Sequence, residues 1–116
     1  MMEGPAPSDQ YFSPSGQGSK HRIFPGVEIC TTHGKDLMLA VVTFEPGGVV
    51  TEHSHPHEQM GLLISGKLEF TVGGLTRLLG PGDKWSIPGG VPHRVRAVDG
   101  PALALDVFHP IREDYL

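Results

Sequence analysis

Glycine and proline interrupt this chain too often for a helical architecture. The 116 residues include 16 glycines and 11 prolines, about twice the average usage of roughly 7% and 5%. Both residue types weaken helix interiors and favour turns. Between them lie short segments of β-branched and aliphatic residues, separated by turns such as Gly73-Gly74 and Gly80-Pro81-Gly82-Asp83. This pattern predicts eight to ten short strands, and therefore an all-β sandwich or small barrel.

The strand segments can be placed individually from their composition. In Lys67–Val72, apolar and polar residues alternate, which is typical of a half-buried antiparallel strand. The other predicted strands cover 27–32, 37–44, 59–65, 75–79, 85–87, 93–98 and 103–108. Residues 1–20, rich in proline, glycine, serine and glutamine, are predicted to form a flexible N-terminal arm. Residues 21–116 then form a single domain, ending in a short helical turn within 110–116.

The charge balance and the cysteine content exclude several classes of protein. Nine lysines and arginines against 13 acidic residues give a net charge of −4, which argues against nucleic-acid binding. No apolar run approaches the roughly 20 residues that a membrane span needs. The N-terminal residues lack a basic segment followed by an apolar one, and the single Cys30 permits no intrachain disulfide. We therefore expect a cytoplasmic protein.

A group of histidines is the strongest functional signal. His53 and His55 are two residues apart, so a strand would place both imidazoles on one face. Gln59 and the more distant His93 could join them, and three imidazoles with an amide oxygen form a plausible transition-metal site. Glu58 is the alternative to Gln59, because adjacent strand residues point to opposite faces. Spacing alone leaves a metal site and a set of unrelated surface histidines about equally favoured.

The last predicted strand carries one carboxylate among apolar residues. Asp106 shares a face with Ala102, Ala104 and Phe108, and the small alanines would leave space beside it. Burying a carboxylate is costly unless the group is paired or functional, so Asp106 is a candidate general acid/base. The alternative is that Asp106 lies at an exposed strand end and pairs with an arginine.

Two motifs resemble those of the cupin superfamily. The first consists of Gly47, His53, His55, Gln59 and Gly66, and the second of Gly82, Pro88 and His93 with the intervening glycines. The resemblance implies a double-stranded β-helix, or jelly roll, with a metal inside the barrel held by His53, His55, Gln59 and His93. The ion would be a divalent transition metal: Ni, Zn, Co, Fe or Mn. Gln59 stands where the family usually has glutamate, and an uncharged ligand set makes the ion a stronger Lewis acid.

The segment from Asp106 to Leu116 narrows the resemblance further. It is similar to the end of the short pectin-degradation cupins, which linearise unsaturated uronates. That resemblance implies a metal-dependent enzyme that opens the ring of 4,5-unsaturated uronates from pectin or alginate breakdown, with Asp106 catalytic and Phe108 packed on the sugar. Arg77, on a neighbouring strand, and Met60, at the pocket mouth, are further candidates for substrate binding.

Two other functions are compatible with the same motifs. A cupin with an accessible metal can act as a dioxygenase, and a cupin can also bind a sugar or metabolite without catalysis. The fold alone cannot choose among these functions. The expected partners are a small anionic sugar and a second copy of the chain, since exposed sheet edges and the arm favour a homodimer.

Overall fold

Ten strands form nearly all the regular structure of residues 11–116, the part of the chain that the computed structural model describes. They are β1 (Ser19–His21), β2 (Val27–His33), β3 (Met38–Phe44), β4 (Val49–His53), β5 (Glu58–Ser65), β6 (Leu68–Val72), β7 (Leu75–Leu79), β8 (Lys84–Ile87), β9 (His93–Ala97) and β10 (Ala102–His109). A single 3₁₀ turn follows at Glu113–Tyr115. The prediction of an all-β chain is confirmed.

The strands form two antiparallel sheets. One has the order β1-β2-β3-β10-β5-β8 and the other the order β4-β9-β6-β7. On β3, Met38, Ala40, Val42 and Phe44 are buried while the residues between them are exposed. This alternation lets one face of the sheet cover the core and leaves the other face outward. The two inner faces enclose the barrel of a jelly roll, as the sequence predicts.

Two strands were not predicted individually. β4 lies in the histidine segment and ends at His53, so His55 is in the loop that follows it. β1 lies at the boundary of the predicted arm and pairs with β2, with Lys20 opposite Cys30. The first ten residues of that arm lie outside the described residues. Within 11–116 no helix has the length and apolar character needed to cross a bilayer.

The C-terminal tail folds back against the barrel. The hydroxyl of Thr31 donates a hydrogen bond of 2.7 Å to the Tyr115 carbonyl oxygen, and His21 Nε2 lies 3.0 Å from the same oxygen. Tyr115 is buried, and its ring lies 6.1 Å from that of Phe108. These contacts hold the tail, which includes Arg112, against β1, β2 and β10.

Candidate metal centre

Three histidines converge inside the barrel. β4 and β9 pair antiparallel, so His53 at the end of one strand lies opposite His93 at the start of the other. His55, two residues past His53, completes the cluster from the loop. The potential ligand atoms of the three imidazoles lie within 4.8 Å of one another. That spacing is compatible with shared coordination of one ion.

The hydrogen bonds of the imidazoles point their free nitrogens at one another. In each ring, Nδ1 lies 2.9 to 3.0 Å from a backbone carbonyl two residues away in the chain. Because a carbonyl oxygen only accepts, Nδ1 carries the proton and Nε2 keeps its lone pair. Metal-binding histidines are oriented by the same kind of bond.

Two of the histidines are held in the uncharged form that binds metals. Burial lowers the pKa of His55 to about 4, and the positive charge of Arg112 acts in the same direction. Burial also lowers the pKa of His93. Both rings are therefore neutral at pH 7, and a metal need not displace a proton from either of them.

Gln59 supplies a fourth potential ligand. Its side chain is buried, and Oε1 lies 3.0 Å from Nε2 of His55. With the proton of His55 on Nδ1, two lone pairs face each other across this gap, as they would around a shared cation. Glu58 is exposed, because its side chain points to the outer face of β5.

The donor set fits a divalent transition metal. Nε2 of His93 is buried and has no hydrogen-bond partner among the described residues. An unpaired buried nitrogen is costly, and coordination of an ion would satisfy it. Three imidazole nitrogens and one amide oxygen suit a borderline ion such as Ni, Zn, Co, Fe or Mn.

Asp106 lies beside this cluster and is held by a tryptophan on a second strand. Asp106 on β10 and Trp85 on β8 both pair with Gly61 on the intervening β5. The indole Nε1 donates a hydrogen bond of 2.7 Å to Asp106 Oδ1. A Cβ at position 61 would collide with both side chains, so only glycine lets them meet.

The environment of Asp106 favours its neutral form more than water does. Burial raises the pKa of this carboxyl to about 6 and outweighs three opposing influences, the hydrogen bonds from Gln59 and Trp85 and the charge of Arg112. The alternative of an exposed strand end does not apply, since Asp106 is only 8% exposed. A carboxyl that titrates near neutrality suits proton transfer.

Arg112 is a potential functional residue that the sequence reasoning did not select. It is only 7% exposed and lines the same cavity as His53, His93 and Asp106. Its guanidinium lies 4.0 Å from the ring centre of Tyr115. Two hydrogen bonds to Asp114, of 2.8 and 3.3 Å, hold it there. The sequence did contain a signal for this residue, because Arg112 stands two residues before Asp114 in a tail with several apolar residues.

The structure does not bring Arg77 and Met60 to this cavity. Arg77 lies on β7, the edge strand of its sheet, where it is exposed and donates to the Thr76 carbonyl oxygen. Met60 follows Gln59 and so points to the opposite face of β5, where it lines a separate groove of about 420 Å³. Phe108, by contrast, lines the histidine cavity with its ring 5.7 Å from that of His55.

The residues of this site lie within a segment that matches a known family. The family model described as "Cupin domain" matches residues 40–108, which is more than half of the chain. The protein is a cupin. Its two-sheet barrel and the histidine cluster inside it are those that the two sequence motifs imply.

Solved structures resemble this cupin over most of its length. The structure of KdgF from Halomonas sp. shares 32% identity and a TM-score of 0.78, covering 88% of this chain and 100% of that one. An RmlC-like cupin from Shewanella frigidimarina has 26% identity and a TM-score of 0.83, covering 91% and 96% of the two chains.

A curated relative matches over a shorter stretch. Dimethylsulfoniopropionate lyase DddQ from Ruegeria pomeroyi is 39% identical over 72 residues, which are 60% of this cupin and 36% of that protein. This cupin therefore spans about a third of the length of the curated relative that it matches.

Proposed function

We propose that this cupin is a metal-dependent enzyme that opens the ring of 4,5-unsaturated uronates. The observation that carries the proposal is the buried Asp106 carboxyl beside the candidate metal ligands, in a cavity that also contains Arg112 and Phe108. Support comes from the resemblance of the chain end to pectin-degradation cupins, and from the likeness to KdgF over the whole of that chain.

The reaction is an isomerisation in which one proton changes position. The C1 hydroxyl loses its proton, the C1 aldehyde forms and the bond between C1 and the ring oxygen breaks. The electrons of that bond leave an enolate oxygen on C5, and a proton added at C4 gives the 5-keto product. Asp106 would take the first proton and deliver the second.

The other cavity residues would bind and orient the sugar. The guanidinium of Arg112 matches the planar carboxylate of a uronate, and the ring of Phe108 offers an apolar surface for the sugar. An ion held by His53, His55, Gln59 and His93 would supply a Lewis acid for the oxygen on which negative charge develops.

The C-terminal tail supplies part of the cavity wall. Arg112 and Tyr115 line the cavity together with His53, His93 and Asp106, although the tail belongs to neither sheet. The conformation of the tail should therefore influence how the substrate binds.

A second candidate is a lyase that acts on a small carboxylate. The 39% identity to dimethylsulfoniopropionate lyase DddQ favours it. Such an elimination removes a proton from the carbon next to the carboxylate and expels dimethyl sulfide from the neighbouring carbon. Asp106 would then serve as the base and Arg112 would bind the carboxylate, so both candidates use the same cavity.

One experiment separates the candidates. Metal-replete protein is incubated with the unsaturated galacturonate monomer, and the loss of alkene absorbance in the ultraviolet is followed, with Asp106→Asn measured in parallel. Acceleration by the wild type alone is the expected result. No acceleration with any candidate metal refutes the ring-opening proposal. Release of dimethyl sulfide from dimethylsulfoniopropionate would then support the lyase, and oxygen uptake would support a dioxygenase.

A further inference from the structure

We propose that Asp106, anchored by Trp85, is a positioning residue that makes Gln59 present its amide oxygen rather than its amide nitrogen to the three histidines. The inference concerns the metal centre and does not depend on which substrate the proposed function assigns to this cupin. It also accounts for the presence of glutamine at position 59, where a glutamate is usual.

The two ends of a glutamine amide have nearly the same shape and opposite hydrogen-bonding character. If the nitrogen faced His55, it would donate to the bare Nε2 of that ring, and position 59 would offer no ligand to a metal. If the oxygen faces His55, as in the structure, position 59 becomes a ligand. The neighbour on the other side of the amide must therefore decide between the two orientations.

Asp106 is that neighbour. Gln59 and Asp106 lie two register positions apart on the neighbouring strands β5 and β10, and both line the histidine cavity. There the Gln59 amide acts on Asp106 as a hydrogen-bond donor and lowers the pKa of its carboxyl. A carboxylate only accepts, so the amide must turn its nitrogen toward Asp106 and its oxygen toward His55. The reverse orientation would place two oxygens against each other and leave the amide nitrogen away from its acceptor.

Trp85 holds the Asp106 carboxylate in the position where the carboxylate can orient the Gln59 amide. An indole N–H only donates, and its 2.7 Å bond to Oδ1 fixes one side of the Asp106 carboxylate. Trp85 is 7% exposed and packs on Phe70 at 4.8 Å between ring centres. A rigid core side chain thus fixes Asp106, and Asp106 faces the candidate ligand Gln59 across the same cavity.

The proximity of Asp106 also explains why position 59 carries a glutamine. A glutamate at position 59 would place a second carboxylate in the same cavity as Asp106, on the neighbouring strand. Two carboxylates close together repel or must share a proton. Positions 59 and 106 should consequently be coupled. An amide at one of these two positions and an acid at the other can hydrogen-bond, whichever position carries the amide. Two acids at positions 59 and 106 repel each other.

A double-mutant cycle on the metal affinity tests this coupling. The metal-stripped full chain and the variants Gln59→Glu, Asp106→Asn and the double variant are titrated with Zn²⁺ and Co²⁺ against a competing chelator. We expect the double variant to bind at least tenfold more tightly than the product of the two single effects predicts. Asp99→Asn makes the same acid-to-amide change on an exposed turn and should leave the affinity unchanged.

Additive single effects, within about threefold, would overturn the proposal. A wild-type chain that binds neither metal would overturn it as well. Coupling in the absence of any uronate turnover would refute only the proposed function, whereas uronate turnover with additive metal affinities would refute only this inference.

Trp85→Phe tests the anchor separately. We expect it to weaken metal binding about threefold or more in the wild-type background and to have no further effect in the Asp106→Asn background. The Co²⁺ absorption spectrum should shift in the same variants, since it reports the ligand set directly. If Trp85→Phe lowers thermal stability while the metal affinity and the Co²⁺ spectrum stay unchanged, the indole is only a core residue and its assignment is wrong.

Discussion

Replacement of Gly61 by alanine is the most direct perturbation of the Trp85–Asp106 contact. Gly61 lies on β5 between its register partners Asp106 and Trp85. The added methyl group would overlap the indole ring and the Asp106 carboxylate. Both neighbours are buried parts of strands, so neither can swing into solvent. The hydrogen bond between them must therefore break or lengthen.

The destabilising effects of this substitution outweigh its benefit. Loss of a hydrogen bond to a charged group costs about 1.5–3 kcal/mol, and overpacking a core adds typically about 1–3 kcal/mol. The lower flexibility of alanine in the unfolded chain offsets only about 0.5–1 kcal/mol. We expect Gly61→Ala to lower the free energy of unfolding by about 1.5–5.5 kcal/mol. For a domain of this size that corresponds to a fall in Tm of roughly 5 °C or more.

The single tryptophan makes the assay specific. Trp85 is the only tryptophan in the chain, so its fluorescence reports both unfolding in urea and the change in its own environment. Gly80→Ala is the matched control, because a Cβ there meets nothing within 4 Å. A Gly61→Ala variant with the stability and emission spectrum of the wild type would refute the reasoning.

Further predictions concern the cavity, the tail and the assembly. His93→Ala should reduce Zn²⁺ affinity at least a hundredfold in a chelator competition, and retained affinity would contradict the proposed ligand set. Arg112→Lys keeps the charge but loses the planar fork, so KM for the uronate should rise about tenfold, and an unchanged KM would remove Arg112 from substrate binding. Thr31→Val loses the bond to the Tyr115 carbonyl and should cost about 1 kcal/mol in urea unfolding; no change would mean that the tail is held by other contacts. The homodimer stays a prediction, which sedimentation velocity would contradict by finding a monomer at all concentrations.

Local patterns in the sequence were sufficient for most of the strands and for most of the candidate site. Alternation along a strand is a property of the strand itself, so it separated Gln59 from Glu58 and placed Asp106 on the inner face with Phe108. The turn residues located eight of the ten strands. β1 was not predicted, because three residues in a polar arm show no recognisable alternation of apolar and polar residues.

Met60 and Arg77 were misplaced for different reasons. Strand alternation puts Met60 on the face opposite Gln59, so once Gln59 is assigned to the site the position of Met60 follows from the sequence. The position of Arg77 does not, because it depends on β7 being the edge strand of its sheet. Strand order is decided by pairing between distant segments, which no local pattern records.

The sequence by itself determined an all-β chain, because strand periodicity is local, while the meeting of the histidines and Gln59 at one site was implied by the resemblance to cupins. Only the tertiary structure decided that Trp85 reaches Asp106 across Gly61 and that the tail brings Arg112 into the cavity. Both contacts depend on the register between strands and on the path of the tail. The first contact joins Trp85 and Asp106, which are 21 positions apart in the chain. In the second, Tyr115 of the tail is held by Thr31 on β2, which is 84 positions away.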